Sequence, residues 1–465
     1  MAFNISMSND NASKRKALQT ISVAGVFATI ISLFGPNPLL CVPAFISLYF
    51  IIDFLFLSKY LTGFLLAFVY QWTQVSIKVI YACLSFKNVL ELTQYPEHFI
   101  SCYLLCSFGL ILIVYAISIF LRQLDFDENT IEEVIESVNL KNLFISYFAI
   151  GVISSLFPAS LNQLAIQLAA FKWGLFYIIF LRLYHSPRGK WIIIGLIILE
   201  FILGFASYFS SWKDVIFYAT LSLLSVTKLT PRKIVGLCIG AVALLYLGLL
   251  WTGVKGEYRT YISQGNKQVV MVSKLDAYSK LIDLAGNFQL SDDIIKNFID
   301  RVSYIDYFSA CMNHVPAVVP HENGKLTTDA IQHVLVPRAL NPNKAIIDES
   351  THLTKYTGVF FSNLSMGVSF SLGYFGDFYV DYGTIGMLIA IFIYGLFIGF
   401  VFKNVFIHIS NPLIGIAVLQ MSFMLLQKFE ISLIKLTGTI IMFWILYRIL
   451  AAYVCPKYSR WLIKK

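Results

Sequence analysis

Phe99-Ile-Ser-Cys-Tyr-Leu-Leu-Cys-Ser-Phe-Gly-Leu-Ile-Leu-Ile-Val-Tyr-Ala-Ile-Ser-Ile-Phe-Leu121 contains no Asp, Glu, Lys, Arg or His. A helix of this length, rising about 1.5 Å per residue, crosses a hydrocarbon core of roughly 30 Å. Its neighbours repeat the pattern. Apolar stretches at roughly 17–34, 39–57, 61–84, 99–121, 143–159, 163–184, 191–209, 214–228, 234–252, 384–402, 411–427 and 433–454 predict about twelve spans. The composition agrees: of 465 residues 58% are hydrophobic and 13% charged, and mean hydropathy is +0.73. A soluble domain carries about 25% charged residues. The fold class expected is all-α, a polytopic helical membrane protein. The net charge of +9 points to no nucleic acid, because most Lys and Arg fall at the ends of the apolar stretches. Lys14-Arg15-Lys16 precedes the first stretch without a small-residue cleavage site, so that stretch reads as a span and not as a signal peptide.

Charge asymmetry predicts the orientation. Alternate connections carry Lys59, then Arg122 and Lys141, Arg188 and Lys190, Arg232 and Lys233, Lys403, and the tail Lys457, Arg460, Lys464 and Lys465. The opposite short connections carry few: Lys87, Lys213 and Lys428. The positive-inside rule then places both termini in the cytoplasm and the long segment 253–383 outside. Three regions follow: transmembrane helices over 1–252, an extracytoplasmic loop over 253–383, and transmembrane helices with a basic tail over 384–465. A short solvated helix is expected over 125–136, where Ile131, Val134 and Ile135 sit at helical spacing among acids. The seven cysteines are an odd number, mostly in apolar stretches, so neither a disulfide framework nor a cysteine metal site is expected.

The outer loop concentrates the chemistry. It holds Lys255, Arg259, Arg301, Arg338 and Lys344, and four of the seven histidines, His314, His321, His333 and His352. Ser291 ahead of Asp292 and Asp293 predicts a helix N-cap, with the helix running to about Met312. Thr327 or Thr328 is expected to cap a second helix carrying His333 and ending before Pro337. Gly373-Tyr374-Phe375-Gly376-Asp377-Phe378-Tyr379-Val380-Asp381-Tyr382-Gly383 is too polar for a lipid-facing span and reads as a re-entrant or cavity-lining segment. Arginine forks and lysine ammonium groups suit a phosphate-bearing anion at the membrane surface, although they could equally pair with Glu257, Asp300 and Asp306 or with anionic lipids. His333 is a candidate general base, with Asp377 and Glu257 as carboxylate alternatives that burial would tune. Tyr374, Tyr379 and Tyr382 could stack on sugars or form an interfacial belt. No Walker A, GxGxxG or HExxH pattern occurs, so a donor activated before it reaches the outer face is expected. Gln71, Thr73, Gln74, Lys78, Asn162, Gln163, Gln167, Arg182 and Glu200 are polar groups in or near spans. Buried ionisable groups usually face a cavity, and Glu200 reads as a proton or cation site or as the partner of a neighbouring helix.

Pro337-Arg338 followed by Pro342-Asn343-Lys344, the Ser369 to Gly386 stretch with Asp377-Phe378-Tyr379 and Gly383, and Gly256-Glu257-Tyr258-Arg259 directly after a span resemble bacterial oligosaccharide repeat-unit polymerases, the Wzy-type O-antigen and exopolysaccharide polymerases. The likeness in architecture covers nearly the whole chain. Relatives often carry glutamate where this chain has Asp377. The resemblance implies a glycosyltransferase of the bacterial inner membrane acting on undecaprenyl-pyrophosphate-linked oligosaccharide at the periplasmic face, without cofactor or metal. A flippase and a chain-length regulator are the further partners it implies. Arg259, Arg301, Arg338 and Lys344 would bind pyrophosphate, His333, Asp377 or Glu257 would act as base, and Tyr374 and Tyr379 would bind sugar. An O-antigen ligase would use the same donor. A lipid-linked glycan flippase would depend on Glu200 and Arg182 instead.

Overall fold

The computed structural model describes residues 3–157, 161–205, 211–227, 230–265, 270–336, 347–361 and 369–463. The chain divides into two compact units. The first, residues 1–182 and 304–465, opens with α1 (Phe3–Leu33), α2 (Cys41–Leu55), α3 (Thr62–Leu84), α4 (Val89–Leu92), α5 (Phe99–Leu121), α6 (Glu128–Ser137), α7 (Leu140–Leu156) and α8 (Asn162–Leu183). The second, residues 183–303, contains α9 (Pro187–Phe205), α10 (Trp212–Val226), α11 (Pro231–Ser263), α12 (Lys274–Gly286) and α13 (Asp292–Val302). The first unit resumes with α14 (Ile305–His314), α15 (Lys325–Leu335), α16 (Glu349–Thr357), α17 (Tyr374–Ile407), α18 (Pro412–Gln420), α19 (Ser422–Leu426), α20 (Leu433–Tyr453) and α21 (Cys455–Leu462).

The protein is all-helical among the described residues, and over those residues each expected apolar stretch falls on a helix, or in the case of 411–427 on two, α18 and α19. Seven of these helices are long and apolar enough to cross a membrane: Ala12–Leu33, Thr62–Leu84, Phe99–Leu121, Gln163–Leu183, Ile239–Ser263, Tyr374–Ile407 and Leu433–Tyr453. Cys41–Leu55, Leu140–Leu156 and Pro412–Leu426 are apolar but shorter. The acidic stretch after α5 forms α6, capped by Asp127.

The first unit is built around α17 lying on α5. Small residues permit the approach: a Cβ on Gly395 would stand 2.8 Å from the Ile113 carbonyl, and one on Gly399 2.9 Å from that of Ile117. Close packing through small residues is how helices associate where lipid removes the hydrophobic drive. The buried polar groups of the spans bond across helices. Gln71 accepts from the Tyr374 hydroxyl at 2.8 Å and donates to the Leu426 carbonyl at 2.5 Å. Gln420 accepts from the Gly63 N–H at 2.8 Å and donates to the Tyr60 carbonyl at 2.7 Å. Gln74 donates to Glu430 at 2.5 Å and accepts from the Phe429 N–H at 2.9 Å. Gln167 donates to the Thr439 carbonyl at 3.1 Å. These bonds tie α3 to α17, to Leu426 and to the turn before α20, α18 to the start of α3, and α8 to α20.

The connections of the first unit gather in two sets. One set joins Lys14 to Asp53 at 2.9 Å, Lys59 to Glu128 at 2.9 Å, Asn142 to the Trp461 carbonyl at 2.6 Å and Asn411 to Ser459 at 2.6 Å. The other joins Asn37 to the Lys87 carbonyl at 2.6 Å, Lys78 to Asp306 at 2.5 Å, Thr93 to Asp306 at 2.5 Å and Lys355 to Glu322 at 2.6 Å.

Two expectations are corrected. The helix expected from Ser291 to Met312 is two helices. Ser291 does cap α13, its hydroxyl accepting the Ile294 N–H, but the helix stops at Val302, and the Tyr304 N–H turns to the Gln74 carbonyl at 3.2 Å. The helix carrying His333 is capped neither by Thr327 nor by Thr328. It begins at Lys325, and its N-terminal amides are taken by Asp381 from α17. The stretch read as re-entrant or cavity-lining is helical from Tyr374 and breaks at Gly383, whose φ of 67° and ψ of −171° suit glycine, and its Phe378 and Tyr382 line a cavity.

Candidate functional site

The short helix α16 starts with Asp348, whose side chain accepts the Thr351 N–H at 3.2 Å and its hydroxyl at 2.6 Å. That cap orders the first turn. Glu349 and His352, three residues apart, therefore share one face. His352 Nε2 lies 3.0 Å from Asp377 Oδ1. The other oxygen, Oδ2, accepts the Leu433 N–H at 2.8 Å. Asp377 is 3% exposed, so its carboxylate is fixed on both sides. A carboxylate on Nε2 holds the proton there in the neutral ring and leaves Nδ1 as the basic nitrogen. Burial disfavours the charged imidazolium of His352, but the hydrogen bond and the charge of Asp377 outweigh it and raise its pKa above the ordinary 6.5. The His352 side chain keeps 29% of its surface open.

Glu349 is buried beside this pair and adds to the same field. Its carboxylate accepts from Ser432 and from the Lys435 ammonium, and from Ser369 at 3.1 Å. The result is a carboxylate–histidine pair next to a carboxylate–lysine pair, where α16, the start of α17 and the start of α20 meet. Further along α16, Tyr356 and Lys355 both donate to Glu322, at 2.7 and 2.6 Å. The Lys355 and Tyr356 bonds hold the Glu322 carboxyl below its usual range.

Asp381, one turn after Asp377, sits on the same face of α17. It accepts the Leu326 N–H at 2.9 Å, the Thr327 N–H at 2.7 Å and the Thr327 hydroxyl at 2.6 Å. A carboxylate from another helix thus caps α15 and complements its dipole. The break at Gly383 frees the Val380 carbonyl, which accepts the Glu322 N–H at 3.0 Å and lies 3.2 Å from His321 Nδ1. The first turns of α17 thereby position both α15 and α16.

Of the residues predicted as functional, Asp377 lies in this site. His333 sits in the last turn of α15. Tyr374 and Tyr379 are buried: their hydroxyls donate to Gln71 at 2.8 Å and to the Val315 carbonyl at 3.0 Å, so their rings belong to the helix packing. Arg338 and Lys344 lie outside the described residues. Glu257, Arg259 and Arg301 belong to the second unit. There Glu257 pairs with Lys280 at 2.8 Å with 63% of its side chain exposed, so the burial expected to tune it is not found. Lys255 stands in the repulsive fields of Arg301 and Arg259, which brings three of the expected cations together within that unit.

Sequence reasoning counted His352 among the loop histidines without a role and overlooked Glu349 and Lys435. A signal was present. Asp348-Glu349-Ser350-Thr351-His352 reads as an N-cap followed by two chemically active residues on one helical face.

No curated protein and no solved structure matches the chain. One family does, described as a domain of unknown function (DUF8712), and it covers residues 81–455. That range takes in α5 to α20 complete and with them every residue of the His352 site, and by this match the chain belongs to the DUF8712 family.

Proposed function

We propose that the protein is a membrane glycosyltransferase that polymerises undecaprenyl-pyrophosphate-linked oligosaccharide repeat units on the outer face of the bacterial inner membrane. The His352–Asp377 pair carries this reading. Imidazole held by a buried carboxylate is a general base whose basicity is raised and whose orientation is fixed. In the step proposed, the acceptor hydroxyl oxygen bonds to the anomeric carbon of the donor. The bond from that carbon to the pyrophosphate oxygen breaks, and the hydroxyl proton passes to His352 Nδ1. Asp377 stabilises the imidazolium that forms. His352 replaces His333 and Glu257 as the base.

The departing pyrophosphate gains negative charge, and cations prepositioned for it lower the barrier. Arg338 and Lys344 fill that role, with Lys435 at the site itself. Lys255, Arg259 and Arg301 offer the same phosphate chemistry within the second unit. The proposed topology has twelve spans with both termini cytoplasmic and the segment 253–383 outside. The sidedness is supported by the pairing of connections: the basic ones join one another, Lys59 to Glu128 at the start of α6 and the C-terminal tail to the start of α7. The His352 site belongs to the opposite set.

The test is polymerisation by the purified protein in vesicles, with lipid-linked repeat units as the only substrate. Wild type extends them. His352→Gln and Asp377→Asn lower the rate by about 10²–10⁴-fold, the range for loss of a general base, while both proteins elute as folded species. Wild-type rates in both variants would remove the pair from the chemistry.

A further inference from the structure

A cavity of about 650 Å³ opens between α15, α17 and α20. Its wall is almost wholly hydrocarbon, from Ile331, Phe378, Ile389, Ile393, Leu433 and Ile441 among others. Three of the four hydroxyls in the wall are engaged by protein, and the fourth is that of Tyr382, which is 40% exposed. Tyr394 and Thr437 pair with each other at 3.1 Å, and the Thr327 hydroxyl goes to Asp381. An occupant of these walls therefore needs no polar atoms along its length. Two of the three walls are helices apolar enough to span a membrane. Ile389 and Ile393, each 58% exposed, lie on α17 within a helix apolar enough to span a membrane, so in the proposed topology the cavity opens where an acyl or isoprenoid chain arrives from the bilayer. The volume lies within the range of sites that enclose a small-molecule ligand.

Phe378 and Leu433, near the starts of α17 and α20, place one end of the cavity next to the catalytic pair. Phe378 follows Asp377 in the chain, and the Leu433 N–H is the group that holds Asp377 Oδ2. A single chain lying in the cavity with its polar head at this end has that head beside the His352–Asp377 pair. We infer that the cavity holds the isoprenoid tail of the carrier lipid and delivers its pyrophosphate to that pair. This inference rests on the proposed polymerase reading, since continuity with the catalytic pair selects the carrier chain over a bulk phospholipid.

The test uses the full-length protein in nanodiscs and a long-chain polyprenyl pyrophosphate bearing a diazirine in its tail. The inference expects crosslinks on residues 386–397 and 433–441, reduced by unlabelled polyprenyl pyrophosphate and not by added phospholipid. Ala390→Trp, which fills the cavity from α17, weakens capture of the probe about tenfold, because about two buried methylenes lose their contacts. Elution of Ala390→Trp as a folded species at the wild-type position controls for folding. Crosslinks spread over many helices, displacement by phospholipid, or equal capture by Ala390→Trp would overturn the inference. Failure of the polymerase reading shows separately: the probe still labels the cavity, while vesicles containing wild type make no polymer.

Discussion

Lys78 sits in α3 with its side chain 1% exposed, and its ammonium lies 2.5 Å from Asp306 Oδ2 at the start of α14. Thr93 donates to the other Asp306 oxygen at 2.5 Å, and Lys78 also donates to the Leu92 carbonyl at 3.3 Å. At this separation, with an effective dielectric of about 20, the attraction is ~7 kcal/mol. Desolvation of both charges offsets most of it. Taking away only the carboxylate charge is a different matter, because the buried ammonium remains without it. Asp306→Asn keeps the shape and an acceptor for Thr93, and is expected to destabilise the protein by about 3–5 kcal/mol. Lys78→Met costs less, since the Asp306 side chain keeps 14% exposure and its Thr93 bond. The double variant Lys78→Met/Asp306→Leu should recover to within about 1–2 kcal/mol of wild type, as replacing a whole buried pair by apolar groups is near neutral. Equilibrium unfolding in detergent, followed by tryptophan fluorescence, measures all three. Asp306→Asn within 0.5 kcal/mol of wild type would refute the reasoning, as would a double variant as unstable as Asp306→Asn.

The His352–Asp377 pair is linked to pH. Because the folded pKa of His352 is raised above 6.5, the pair's contribution to stability is complete below pH 6.5 and disappears as pH rises through the folded value. His352→Gln is therefore expected to lower the melting temperature at pH 6 and to have little effect at pH 9. Catalysis runs the other way, with polymerisation rising with pH through the same value as the base becomes neutral. Asp381→Ala removes the cap of α15 and is expected to cost about 2 kcal/mol, read as faster hydrogen exchange over residues 325–335 than over α20. Arg338→Ala and Lys344→Ala are expected to abolish long glycans while the protein remains in the membrane, checked by a glycan gel beside an immunoblot of the membrane fraction.

Apolar continuity carried the helices of the membrane domain into view. Phe99–Leu121 was read with the boundaries it has, because a charge-free run between polar ends leaves few other choices. Ser291 was legible as a cap for the same local reason. What escaped the sequence was non-local. Thr327 and Thr328 looked like caps because threonine caps locally, but Asp381, more than fifty residues away, supplies the carboxylate. Tyr374 and Tyr379 looked like binding aromatics because glycines flank them, yet α17 folds inward and buries both. The His352–Asp377 pair spans twenty-five residues, a separation that helical periodicity does not predict. Gly383 was legible as special, and the form of the break, helix on both sides, followed only from the backbone.

The central claim is polymerisation at the outer face. It is tested most directly in cells lacking this protein, by a glycan gel run beside extracted lipid-linked intermediates. The account predicts single repeat units on undecaprenyl pyrophosphate, exposed at the outer face, with no ladder, and a ladder restored by wild type but not by His352→Gln. Lipid-linked polymer that never reaches its final acceptor would contradict it in favour of a ligase, and single units trapped at the inner face would contradict it in favour of a flippase.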